Sequence, residues 1–153
     1  KETPKPPSRE TPARPGLSCR YYEGTWSDLP RFQSLAPVRA ETVATIGLPP
    51  FAREESLALE LRGHLRVPAT GVYTFWLTSD DGSALWLGGE RLIDADRLGG
   101  TTGEKVEIAL EAGLHSLYLP YFQRRGERAL LLEMAAPGGA RKPVSAADLF
   151  HGE

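Results

Sequence analysis

Two neighbouring carboxylates, Asp80 and Asp81, followed at once by Gly82, are the residues of this 153-residue chain whose types and spacing best suit chemistry. An apolar run, Val72 to Thr78, leads into them, and a second, Ala84 to Leu87, leads away before the Gly88-Gly89 turn. Along an extended strand successive side chains point to opposite faces. Aiming both acids at one point therefore needs a bend or an unusual peptide bond. Two anions about 4 Å apart repel by roughly 1 kcal/mol in water, and by several times that where water is excluded. Convergence thus predicts a positive centre between them. Asp-Gly between apolar runs is equally the signature of a tight hairpin turn, in which the acids share no target.

Other reactive patterns are weaker. His64, His115 and His151 are scattered, none with a second histidine at i+4, and no G-x-S-x-G nucleophile setting occurs. His115 lies in an alternating strand and reads as a surface or rim residue. Cys19 is the single cysteine, so it forms no internal disulfide and no multi-thiol metal site. Leu17-Ser18-Cys19 faintly suggests lipid attachment, but no apolar leader precedes it, and Cys19 reads as a small buried apolar residue. Glycosidase chemistry needs two carboxylates facing each other across a sugar-sized gap. Adjacent acids cannot flank a glycosidic bond, and Asp94 and Asp96 share one strand face as turn residues, so no catalytic residue is assigned.

The elements that must position Asp80 and Asp81 are strands. Leu57, Leu59, Leu61, Leu65 and Val67 alternate with Ala58, Glu60, Arg62, His64 and Arg66, a period-2 strand with one wet face. Tyr73, Phe75 and Leu77 line one side of the next strand and Trp76 the other. Further strands are predicted at Leu17 to Tyr22, Glu104 to Leu110, Leu114 to Gln123 and Arg128 to Met134. Trp26 to Pro50, broken by four prolines, predicts a long wrapping loop with one short helical turn, and Trp26 has no assigned place in it. Ser145 to Phe150 predicts a helical turn packing Leu149 and Phe150 on the sheets. Short strands, turn signals and no amphipathic helix imply an all-β antiparallel sandwich or barrel. Residues 1–16 hold five of the thirteen prolines and nothing that builds a core, which predicts a disordered, semi-stiff Pro-rich linker. Residues 17–153 form the β domain. The linker and the missing leader suggest a mature or excised piece of a larger protein with neighbouring domains on the same polypeptide. A net charge of −2 without a basic stripe argues against nucleic acid. No apolar run is long enough for membrane insertion.

With the strands placed, the sequence resembles the anthrax protective-antigen (PA-14) domain family over nearly all of Leu17 to Phe150. The carriers are Gly71-Val72-Tyr73-Thr74-Phe75, Ser79-Asp80-Asp81-Gly82-Ser83 and Leu92-Ile93-Asp94. Leu110-Glu111-Ala112-Gly113-Leu114-His115, Tyr121-Phe122-Gln123 and Leu130-Leu131-Leu132-Glu133 follow in order. The resemblance implies a β module attached to glycoside hydrolases, adhesins, toxins and other secreted or surface proteins. Its lectin-type members join the two aspartates by a cis peptide and hold a sugar through calcium. Carried over, the metal ligands are Asp80, Asp81, Gln123 at the family's Asn position, and the backbone carbonyls of Arg125 and Glu127. Gln123 is a departure, one carbon longer than asparagine. Arg124, Arg125 and Arg128 in the same loop offer a second outcome, a guanidinium neutralising the acids without metal.

The resulting expectation is a non-catalytic carbohydrate-binding module of an extracellular, cell-surface or periplasmic protein, with Ca2+ as cofactor and a glycan or polysaccharide as partner. Asp80, Asp81, Trp86 and Gln123 are the carbohydrate-binding residues, Trp86 either stacking on a sugar face or packing as a core or rim residue. The alternative is a structural or docking module that shapes a neighbouring catalytic domain and binds no glycan.

Overall fold

The structure, a computed structural model, describes residues 3–152. In chain order its strands are β1 (Arg14–Pro15), β2 (Leu17–Glu23), β3 (Arg39–Val43), β4 (Leu57–Val67), β5 (Gly71–Asp80) and β6 (Gly82–Leu87). They continue with β7 (Glu90–Ala95), β8 (Thr101–Leu110), β9 (Gly113–Gln123), β10 (Ala129–Ala135), β11 (Lys142–Pro143) and β12 (Leu149–His151). One-residue alternation decides which side of each strand is buried, and the two sets of buried faces meet in a sandwich. The larger sheet runs β1-β12-β4-β9-β6-β7, with β2 pairing the first half of β4 and β3 pairing β2. The smaller runs β11-β10-β5-β8, and every pairing between these strands is antiparallel.

Between the sheets lie Leu59, Leu61 and Leu65 of β4, Tyr73, Phe75 and Leu77 of β5, and Leu117, Leu119 and Tyr121 of β9, all essentially without exposed surface. Burying a leucine or phenylalanine side chain stabilises by about 1.5–3 kcal/mol, so these rows fix the register of the strands that end at Asp80 and Gln123. Cys19 is in this core as expected, its thiol pushed up to about 11 by burial and by the nearby Glu41 carboxylate. His115 is fully buried too, so its reading as a rim residue is corrected. Its place in the inward row with Leu117 and Leu119 outweighs its polarity, and Nε2 bonds the Glu111 carbonyl at 2.7 Å.

The tight-hairpin alternative at Asp80-Asp81-Gly82 fails on topology. β5 belongs to the smaller sheet and β6 to the larger, pairing with β7 and β9, so the two aspartates sit where the chain crosses between layers. A bulge in the β5–β8 pairing between Leu77 and Ser79 immediately precedes the crossing, and bulges re-aim a strand in this way.

Two further expectations change. Residues 3–15 carry little regular structure, a bridge at Lys5 and the short strand β1, and they hydrogen-bond to the domain at several points. Lys5 N donates to Ala109 O at 2.9 Å, Glu111 N to Lys5 O at 2.9 Å and Ser8 N to Leu114 O at 2.7 Å, while β1 pairs with β12. The reason is backbone left free by the sheets at the edge of β8, at the start of β9 and along β12, which hydrogen-bonds a chain needing no core of its own. The stretch from Trp26 to Pro50 does carry the expected helical turn, at Phe32–Ser34, and also the edge strand β3, whose largely exposed residues carry no alternation to read. Trp26, Leu29, Phe32 and Leu35 from this stretch cover Tyr22, Ala58 and Phe122 on the outward face of the larger sheet.

Candidate functional site

Asp81 is almost fully buried, 5% exposed, and its carboxylate is held by backbone. Oδ1 accepts from Gly99 N at 2.8 Å and Oδ2 from Arg124 N at 2.8 Å. Its own N donates to Phe122 O at 3.2 Å, and its O accepts from Ser79 Oγ at 3.0 Å. The Asp80–Asp81 peptide is cis, and Tyr121 OH donates to the Asp80 carbonyl. Two glycines make room. A Cβ on Gly100 (φ +73°) would sit 2.1 Å from Ser79 O, and one on Gly82 would sit 2.4 Å from the Phe122 ring. The loop between β7 and β8 is thereby pressed against the crossing.

The cis peptide sets the two acids close enough for each to feel the other's charge. Asp80 has its carboxyl pushed above the usual carboxylate range by burial, then by the neighbouring Asp81 charge and a hydrogen bond with it, with Glu127 adding to the effect. The arginines of the 124–128 loop do not answer this charge. Arg124 Nη1 donates to Ser27 Oγ at 2.9 Å, and Arg128 Nη1 donates to the carbonyls of Ala52 and Arg53 at 2.6 and 2.8 Å. Among the described residues, no ammonium or guanidinium lies within ion-pair distance of Asp80 or Asp81.

Gln123 stands at the end of β9, between Phe122, which accepts from Asp81, and Arg124, which donates to it. It is fully buried. Its Nε2 donates to Gly126 O at 2.9 Å, whereas its Oε1 is buried with no hydrogen-bond partner. A buried unpaired carbonyl oxygen loses about 1–3 kcal/mol of solvation. Beside Asp81, a cavity of about 300 Å3 opens, lined also by Leu98, Arg124 and Arg125. Among the described residues no three or more His, Cys, Asp or Glu side chains are grouped to hold a metal. The oxygens this end of the fold offers are instead the Asp80 and Asp81 carboxylates and, at the end of β9, the Gln123 amide oxygen. Such an all-oxygen set suits a hard cation.

Of the sequence-derived site residues, Asp80 and Asp81 are neighbours across the cis peptide, Arg125 stands on the cavity wall, Glu127 bears on Asp80, and Gln123 lies between the two residues whose main chain bonds Asp81. Trp86 does not join them. It faces outward from β6, directly opposite Tyr118 of β9, about 13 Å along the strand from Gly82 at roughly 3.3 Å per residue. The loop around Gly99 was not among the candidates, because it contributes a backbone N–H rather than a side chain. The Gly99-Gly100 pair, both with positive φ, is the signal that marks it.

Comparison with known proteins agrees with this architecture. The family model described as PA14 domain matches residues 14–147. No curated protein sequence matches the chain. Among solved structures, an anti-sigma factor domain-containing protein from Clostridium clariflavum superposes with a TM-score of 0.76 at 25% identity, over 92% of this chain and 48% of that one. The chain thus spans about half the length of that relative. A PA14 sugar-binding domain from an RTX adhesin gives 0.76 at 18% identity, covering 92% of this chain and 100% of that one. The Epithelial Adhesin 9 A domain from Candida glabrata, in complex with Galb1-4GlcNAc, gives 0.75 at 14% identity, covering 99% and 97%. With the family model spanning most of its length and the fold shared with these structures, the chain belongs to the PA14 domain family.

Proposed function

We propose that this domain is a non-catalytic carbohydrate-binding module whose glycan contact depends on calcium. The observations that carry the reading are the adjacent acids Asp80 and Asp81 across a cis peptide, with no ammonium or guanidinium within ion-pair distance among the described residues, and the buried, unpartnered Oε1 of Gln123 at the end of β9. Calcium takes six to eight oxygens at about 2.3–2.6 Å in flexible geometry. Asp80, Asp81 and Gln123, with the carbonyls of Arg125 and Glu127, would hold it and leave positions for vicinal sugar hydroxyls. The bound ion supplies a positive centre that accepts neutral hydroxyl oxygens. This chain's residues do the rest: Gly99 N and Arg124 N fix the Asp81 carboxylate, and Leu98 and Arg125 shape the wall a sugar would meet. The sugar-binding adhesin domain and the adhesin complexed with Galb1-4GlcNAc support a glycan ligand and an extracellular or cell-surface setting. A glycan-active enzyme or adhesin as parent protein belongs to the same proposal.

The docking alternative calls for a continuous exposed apolar patch away from the aspartates. Val72 (55% exposed) and Leu131 (37%) are the large apolar residues exposed on the smaller sheet. Between them lies Trp76, capped by the Arg141 guanidinium 4.6 Å from its ring centre, with Arg141 bonded to Glu133. The patch is interrupted, so the binding reading is preferred. Calorimetry tests it: calcium added to chelator-treated protein should give saturable heat, and galactosides or mannosides should then bind only with calcium present. Absence of calcium heat overturns the proposal.

A further inference from the structure

We propose that the outward face of the larger sheet carries a second site, for an acidic sugar unit of the uronate type, independent of the Asp80–Asp81 crossing. Neighbouring strands bring its residues together: Arg20 of β2 lies opposite Glu60 of β4, and Arg62 of β4 opposite Tyr118 of β9. All four belong to the row that alternates away from the core. The loop carrying Pro30 and Phe32 rises over this face and encloses a cavity of about 460 Å3, within the range of small-ligand sites.

The floor is a built charge network. Glu60 is 6% exposed. Its carboxylate accepts from Tyr22 OH at 2.6 Å, from Tyr118 OH, and from Arg62 Nη2 at 3.3 Å. Burial and this carboxylate push the Tyr22 hydroxyl up to about 12 and Tyr118 higher still, so both remain protonated donors. Arg62 lies over the Tyr118 ring at 4.3 Å with most of its side chain still exposed. Arg20 is exposed and has no carboxylate within ion-pair distance among the described residues.

Two guanidinium groups therefore line the cavity against one carboxylate already supplied with three donors. The surplus is one positive charge, in the fork geometry that grips a carboxylate through paired N–H bonds. Pro30 and Phe32 give an apolar wall for the C–H face of a pyranose, and Gln33 gives an amide for its hydroxyls. Trp86, directly across from Tyr118, adds an aromatic edge to the same face. Opposed charge and one apolar wall select a ring that carries its own carboxylate over a neutral sugar.

The test is a chemical-shift titration of the full chain in excess chelator, so that no calcium-dependent site contributes. The probes are glucuronate, galacturonate, methyl glucoside and acetate. The expected result is saturable uronate shifts at Arg62 and Tyr118, with both Arg20→Gln and Arg62→Gln weakening the affinity about tenfold. Both substitutions are at exposed side chains and leave the Glu60–tyrosine bonds in place. No uronate shifts at these residues, or wild-type affinity in both variants, overturns the site. Methyl glucoside binding as tightly overturns the acidic preference, and acetate reproducing the shifts at equal affinity overturns the sugar. Loss of calcium binding elsewhere leaves this titration unchanged, so the two readings fail separately.

Discussion

Two carboxylate centres are built in opposite ways. Glu60, on the outward face of the larger sheet, has a full set of side-chain donors: two tyrosine hydroxyls and a guanidinium. Asp80 and Asp81, at the crossing between sheets, receive backbone N–H bonds on Asp81 only and have each other for electrostatic company. A carboxylate with its donors in place is a finished piece of structure that stabilises the fold. Asp80, set beside the Asp81 charge without a counter-charge, has its ionisation disfavoured and gains most from a cation brought in. The contrast shows how burial alone misleads: both centres contain a buried, hydrogen-bonded acid, but among the described residues only Glu60 has a cationic side chain beside it.

The strongest way to break the contrast is steric. Gly100→Ala places a methyl 2.1 Å from Ser79 O at a φ that L residues avoid, and should destabilise by roughly 3 kcal/mol in urea unfolding while abolishing calcium heat. Next is the cation itself. Calcium at a hundred times its dissociation constant should add about 2.7 kcal/mol to wild-type stability, and Asp81→Asn should remove that gain. Glu60→Ala leaves Tyr22 and Tyr118 hydroxyls without their acceptor and should cost about 2 kcal/mol in urea, with or without chelator.

Asp80→Asn should act in the other direction. Asp80 has a raised pKa in the fold, so its protonated form is favoured there and its contribution is fully present only below the unfolded value, near 3.9. That contribution is lost as pH rises through the folded pKa. In chelator at pH 7 the variant should therefore melt no lower than wild type, and the advantage should vanish below pH 4. The smallest effect concerns His64, whose pKa is lowered by burial, with His115 lowering it further and Glu10 opposing. Stability should decline slightly as pH falls through 6.5, and His64→Gln should flatten that decline in a thermal-melt series.

The strand layout was largely legible because β4 and β5 alternate cleanly, and a buried face imposes period 2. The Asp80-Asp81-Gly82 motif was legible as a choice between a turn and a convergence, and the choice required knowing that β5 and β6 belong to different sheets. That is a long-range fact. Glu60 was read from its alternation as part of a wet face. Its burial comes from the loop around Leu29 and Phe32, more than 25 residues earlier in the chain, and from Tyr118 on β9, so no local window contains it. The Gly99 and Arg124 contacts to Asp81 are made by main-chain nitrogens, which every residue but proline has. The N-terminal segment has the composition of a linker, and it is tied down by hydrogen bonds that composition does not register.

The crossing has a mechanical corollary. Asp80 ends a strand of one layer, while Asp81 leads into the other and is gripped by the end of β9. An ion held by both would act as a rivet through the seam of the sandwich. Amide exchange near the ends of β10 and β9, on either side, should then slow in step when it is driven home, tying occupancy at the rim to the stiffness of both layers.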